Sequence, residues 1–145
     1  MAVVLLWGLC FSMHTYGQGW FWGRANTGAF VEGWPVATDN SGNVFIAGVK
    51  LDAGLAMFGP VQVPCIVPGG LQCILVKYDA NGGFLWARGT DNGPADLIAM
   101  TTDQSGNAYI LGRLPKSMST KLGVVSLSNS SGDNQYFLAK YDPAG

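Results

Sequence analysis

Carboxylates, not imidazoles, are the groups in this chain that recur at spacings able to do chemistry. Asp39, Asp79, Asp103 and Asp142 each open a turn of the form Asp-x-x-Gly, whereas His14 is the only histidine. An imidazole is the commonest general base and the usual partner of a nucleophilic Ser or Cys. His14 falls inside a stretch that reads as a removable leader, so the mature chain is expected to have no Ser-His or Cys-His pair and no catalytic residue. At a turn entry an Asp side chain accepts hydrogen bonds from its own backbone. That structural role is the expectation for Asp39, Gly42 and Asn43, and for Asp103, Gly106 and Asn107. Short oxygen-rich turns also suit calcium, but none has the alternating Asp-x-Asp-x-Asp spacing that gathers several ligands on one ion. No cofactor is expected, with calcium as the minor alternative.

The other reactive types give less. Cys65 and Cys73 stand eight residues apart, and two Cys without a His supply half of a tetrahedral zinc site. In an oxidising compartment they would form a disulfide closing a small loop rich in Pro and Gly. Tyr136 occupies the second-copy position of Cys73, so such a bridge is not part of a common unit. Trp22 and Trp86 have the chemistry of sugar-stacking platforms, but a Trp at one place in successive units is more economically a packing element. Lys77 and Lys140 read as strand-end charges facing solvent. Asn129-Ser130-Ser131 matches a glycosylation sequon, a pattern that arises easily in a Ser-rich loop.

These residues are positioned by an internal repeat. Asp39-Asn40-Ser41-Gly42-Asn43-Val44-Phe45-Ile46-Ala47-Gly48 returns as Asp103-Gln104-Ser105-Gly106-Asn107-Ala108-Tyr109-Ile110-Leu111-Gly112. Trp22 and Trp86, Arg24 and Arg88, Gly42 and Gly106, and Gly59 and Gly123 are 64 residues apart, while Lys77 and Lys140, Asp79 and Asp142, and Gly82 and Gly145 are 63 apart. One residue is lost after Gly123, and because surface connections tolerate deletion where strand registers do not, a loop is expected between Gly59 and Gln72. A fixed period of this kind signals repeat architecture, whose units cannot bury their apolar faces alone.

Within each unit the expected elements are short strands and tight turns. Val44 and Ile46 lie on one face and Phe45 and Ala47 on the other, so these strands are apolar on both sides and should be covered on both. Ile74-Leu75-Val76 and Phe137-Leu138-Ala139 behave alike, and no segment has a sustained helical period. The turn after Asp79 leads into Phe84-Leu85-Trp86-Ala87-Arg88, of which Phe21-Trp22-Gly23-Arg24 is an earlier copy. Four strands per unit, paired by hairpins and sandwiched face to face, describe a propeller blade. The fold class expected is all-β, a partial β-propeller of about two four-stranded antiparallel blades, with units at about 34–89 and 98–145 and a leading strand at 21–24.

The order Asp-x-x-Gly-Asn-Val-Phe-Ile-Ala-Gly, then Leu-Val-Lys-Tyr-Asp-x-x-Gly, then Leu-Trp-Ala-Arg resembles the bacterial β-propeller repeat family called SBBP (seven-bladed β-propeller), over roughly residues 20 to 145. The resemblance implies an exported or surface-attached repeat protein, often part of a longer chain, with no catalytic motif to carry over. A closed propeller needs at least four blades, so further repeats, or other copies of the chain, are required to close a ring, and a fragment of a longer gene is the preferred reading.

Composition agrees with a folded, exported protein. Charged residues make up 12% and hydrophobic ones 48%, and the net charge is −1. That charge removes the electrostatic case for nucleic acid or an anionic membrane surface. Ala2 to Phe11 is an apolar run too short to span a bilayer, and with Thr15 and Gly17 it suits a secretory signal over residues 1–17, against a buried N-terminal element as the plain alternative. No Lys or Arg follows Met1 as such signals usually require, and Leu9 before Cys10 argues against a lipoprotein anchor. The function expected is a secreted or cell-envelope scaffold that binds protein or carbohydrate through the variable segments 53–71 and 116–134. The alternative is a non-catalytic fragment of a propeller enzyme such as an extracellular hydrolase.

Overall fold

A computed structural model of the chain describes residues 21–28, 31–50, 54–64, 72–91 and 93–145. The leader at 1–17 and Cys65 therefore lie outside the described residues.

The chain is all-β, with no helix among the described residues. The first repeat forms a four-stranded antiparallel sheet from β2 (Val31–Thr38), β3 (Val44–Lys50), β6 (Gln72–Tyr78) and β7 (Phe84–Gly89), in that order. In the second repeat β8 (Asp96–Thr102), β9 (Ala108–Leu114) and β12 (Gln135–Tyr141) reproduce the first three strands, so this sheet has three strands among the described residues instead of four. Each first strand slips register by one residue, between Gly33 and Val36 in β2 and between Leu97 and Ala99 in β8. The Pro35 of β2 sits in that bulge on an edge strand, where a missing N–H costs no ladder bond.

Two short hairpins lie inside the segments expected as loops. β4 (Leu55–Phe58) and β5 (Val61–Pro64) turn at Gly59, and β10 (Ser119–Leu122) and β11 (Val125–Ser128) turn at Gly123. Both glycines have φ of +57°, a backbone conformation that side chains with a Cβ resist. β1 (Thr27–Gly28) adds to the outer edge of β4. The stretch expected as a leading strand, Phe21 to Arg24, is in no sheet, and Phe21 is fully exposed. Among the described residues no strand pairs with it.

The two sheets stack through one apolar layer. Phe45, Ala47, Leu75 and Trp86 of the first sheet meet Leu97, Ala108 and Ile110 of the second, with Ala95 from the connection between them. Burying this many aliphatic and aromatic groups, at roughly 1.5–3 kcal/mol each, is the main force joining the repeats. The opposite face of the first sheet, Ile74, Val76, Tyr78 and Ala87, is capped by Ala56, Phe58 and Val63 of the β4–β5 hairpin. The first sheet is thus covered on one face by the second sheet and in part on the other by the hairpin, where Ile46 and Gly48 line an open cavity of about 160 Å³. The second sheet departs from the expectation of cover on both faces: Leu111, Tyr136 and Leu138 are exposed on its far face.

Candidate functional site: the inter-repeat latch

Each Asp-x-x-Gly turn is closed by its own carboxylate. Asp39 Oδ1 accepts the N–H groups of Ser41 and Asn43, both at 3.0 Å, and Oδ2 accepts the Asn43 side-chain amide at 2.9 Å. Asp103 repeats the arrangement with Ser105 and Asn107 and also accepts the Tyr109 hydroxyl at 3.1 Å. Gly42 and Gly106 complete the turns at φ of +76° and +78°. Asp79 and Asp142 bind two backbone N–H groups each in the turns that end at Gly82–Gly83 and Gly145.

At Asp39 and Asp103 these partners favour the charged carboxylate. Burial alone would raise Asp39, but the Asn43 side chain, the backbone of Asn43 and Ser41, and the charge of Lys77 outweigh it and hold the group below the ordinary aspartate range. Asp103 is pushed down to about 2, chiefly by the Asn107 side-chain amide. The four carboxylates stand on separate turns, and Asp39 Oδ2 lies beside Gly106 of the Asp103 turn.

The turns are where one repeat grips the next. Trp86 Nε1 donates to the Pro143 carbonyl at 3.0 Å and Arg88 Nε donates to the Gly145 carbonyl at 3.0 Å. One repeat earlier, Trp22 Nε1 donates to the Ala80 carbonyl at 3.1 Å and Arg24 Nε to the Gly82 carbonyl at 2.6 Å. Each Trp ring lies flat on a turn glycine. A Cβ added to Gly82 would stand 2.7 Å from Trp22 and one added to Gly145 would stand 2.9 Å from Trp86. Trp86 also meets Phe45 edge to face at a centroid distance of 5.9 Å, a geometry that adds to simple burial. A Trp-x-Arg pair from one repeat therefore reads the Asp-x-x-Gly turn of the following one.

Lys77 overturns the expectation of a solvent-facing strand end. Its side chain is 5% exposed, and Nζ lies 3.6 Å from Asp39 Oδ2, 3.2 Å from the Pro143 carbonyl and 4.7 Å from the centre of the Phe45 ring. The next repeat's turn closes over it, which no local pattern announces. Its counterpart Lys140 is exposed and lies over Tyr109 at 5.3 Å. A buried ammonium needs such partners, since an unpaired one is prohibitively costly.

Cys73 is a free thiol, buried, with Sγ donating to the Ala95 carbonyl at 2.9 Å. Burial pushes that thiol well above its ordinary range, the opposite of what a reactive cysteine needs. The side chain points into the layer between the sheets, and its expected partner Cys65 lies outside the described residues. Arg113 pairs with Asp96 across β8 and β9, a contact not anticipated from sequence.

Set against models of protein families the sequence matches none, and no curated protein matches it. The site is understood from its own geometry: a Trp, an Arg and a Lys from one repeat fastened to backbone carbonyls of the next.

Proposed function

We propose that this chain is a module of a secreted or cell-envelope β-propeller, of the SBBP repeat type, acting as a structural or binding scaffold for protein or carbohydrate. The observation that supports this most is the division between a constant frame and variable hairpins. Turns and Trp-x-Arg latch recur from one repeat to the next, while β4–β5 (Leu-Ala-Met-Phe and Val-Gln-Val-Pro) and β10–β11 (Ser-Thr-Lys-Leu and Val-Ser-Leu-Ser) share little sequence. A frame that repeats and connections that differ is the usual economy of repeat scaffolds, which place recognition on segments free to vary.

Two measurements test the reading. Residues 1–20 fused to alkaline phosphatase, which is active only outside the cytoplasm, should give an active reporter in a bacterial host, and an inactive one refutes export. A glycan array probed with the full chain should show a ligand whose binding is lost when residues 119–128 are replaced by residues 55–64, with the thermal midpoint unchanged. Glycan binding that survives the exchange would remove the hairpins from the recognition role.

A further inference from the structure

We infer that Asn129 is a clasp that holds the variable β10–β11 hairpin in shape, its side-chain amide tying the outgoing and returning limbs of the segment between β9 and β12. The inference concerns the shape of that hairpin and is independent of export and of any ligand.

Between the end of β9 at Leu114 and the start of β12 at Gln135 the chain runs out into the hairpin, turns at Gly123 and comes back. Where the two limbs meet, backbone groups covered from water need partners. Asn129 supplies them. It is 3% exposed, and its side-chain nitrogen donates to the Leu114 and Pro115 carbonyls, each at 3.1 Å, and to the Asp133 carbonyl at 2.8 Å. Leu114 and Pro115 lie on the way out of β9 and Asp133 on the way back to β12, so one amide fastens both limbs. An amide nitrogen has two protons for these three acceptors, and one proton is therefore shared. The amide oxygen accepts the Ser131 N–H at 3.0 Å and the Ser131 hydroxyl at 2.7 Å. The backbone N–H of Asn129 donates to the Met118 carbonyl at 2.8 Å.

The turn opposite Asn129 is held against its own preference. Ser117 has φ of +56° and is the only non-glycine with positive φ among the described residues. A Cβ resists that conformation, which persists where the surroundings fix it. The Met118 N–H closes the turn on the Pro115 carbonyl at 3.3 Å, and the carbonyls of both Pro115 and Met118 are acceptors of Asn129.

Polarity decides the role as much as shape does. Three carbonyl oxygens converge on the nitrogen, so this position requires a donor. Asn134 works in the opposite sense, its Oδ1 accepting the Lys116 N–H at 3.3 Å. By the 64-residue offset that aligns the two hairpins, the counterpart of Asn129 is Cys65. An amide here is thus particular to the second repeat. The same geometry absorbs the sequon Asn129-Ser130-Ser131: glycan transfer needs an accessible side-chain nitrogen, and this one is buried against three carbonyls.

One chemical change made at two asparagines tests the clasp in the full chain. Asn129→Asp replaces the donor by a carboxylate facing three carbonyls, whereas Asn134→Asp keeps the acceptor that Lys116 uses. In Asn129→Asp, amide hydrogen exchange at neutral pH should accelerate about tenfold to a hundredfold across β10 and β11, with β3 and β6 unchanged. Asn134→Asp should exchange as the unmodified chain does. Unchanged exchange in Asn129→Asp overturns the inference, as does acceleration spread evenly over β3 and β6 or an equal effect of Asn134→Asp. A second measurement needs no variant. In the unmodified chain, nuclear magnetic resonance should find the side-chain amide protons of Asn129 exchanging at least about tenfold more slowly than those of Asn134. Equal rates overturn the inference, and this measurement decides alone if Asn129→Asp does not fold.

Discussion

Asp39 and Asp103 have the same turn chemistry and different surroundings, which separates what a residue does locally from what its neighbours ask of it. Asp39→Ala removes three turn hydrogen bonds and strands the buried Lys77 ammonium, so a loss of about 3 kcal/mol is expected in urea unfolding. Asp103→Ala, at a turn whose counterpart lysine is exposed, should cost clearly less. Both carboxyls are held below their unfolded value, so the stability they confer is full above about pH 4 and lost as pH falls towards 2. At the alkaline end the signs reverse. Burial raises the Cys73 thiol and pushes the Tyr141 hydroxyl up to about 12. Their stabilisation is intact below about pH 9 and disappears as pH climbs through 9 to 12. A thermal-midpoint profile flat from about pH 5 to 8 and falling on both sides is the expected result, and native Cys73 should resist Ellman's reagent until the chain unfolds. The turn roles of these aspartates were legible from Asp-x-x-Gly alone, because an Asx turn is made within five residues. The burial of Lys77 was not, because its partners Asp39 and Pro143 are 38 and 66 positions away in sequence.

The latch belongs to the scale of elements, where a strand end of one repeat meets a turn of the next. Trp86→Ala removes a buried ring from the stacking layer and from the Pro143 carbonyl, and a loss of about 3–5 kcal/mol is expected in chemical denaturation. Trp22→Ala, at the half-exposed outer latch, should cost less than half of that. Gly82→Ala approaches the same contact from the turn: φ is +77° and the new Cβ would collide with Trp22, so about 1–3 kcal/mol should be lost. Gly23→Ala, whose Cβ meets nothing within 4 Å, serves as the neutral comparison. If Gly82→Ala proves as mild as Gly23→Ala, the ring does not rest on that turn. Two elements differ from the sequence reading for physical reasons. The hairpins β4–β5 and β10–β11 have strands of four residues, too short for alternation to emerge from mixed polarity. The segment at 21–24 has strand sequence but no paired strand among the described residues, and extended backbone becomes a strand only when another strand pairs with it.

For the molecule as a whole, the shared layer makes the two sheets one cooperative unit. Phe45 is fully buried where Trp86, Leu75 and the second sheet converge. Phe45→Ala should lower stability by about 3–5 kcal/mol and move a single transition. Hydrogen exchange should then accelerate together in β6 and β9, whereas two separate transitions would show that the sheets fold independently. The sequence by itself determined the all-β class, the repeat, the turn positions and the double-sided character of the strands. All of these follow from local conformational preference and from a period of two within strands and 63 or 64 between repeats. Only the tertiary structure decided which lysine is buried, where the thiol of Cys73 points, and which sheet face stays open. Those outcomes depend on which repeat lies next to which, and identical local sequence acquires a different environment as soon as one copy has a neighbour and the other does not.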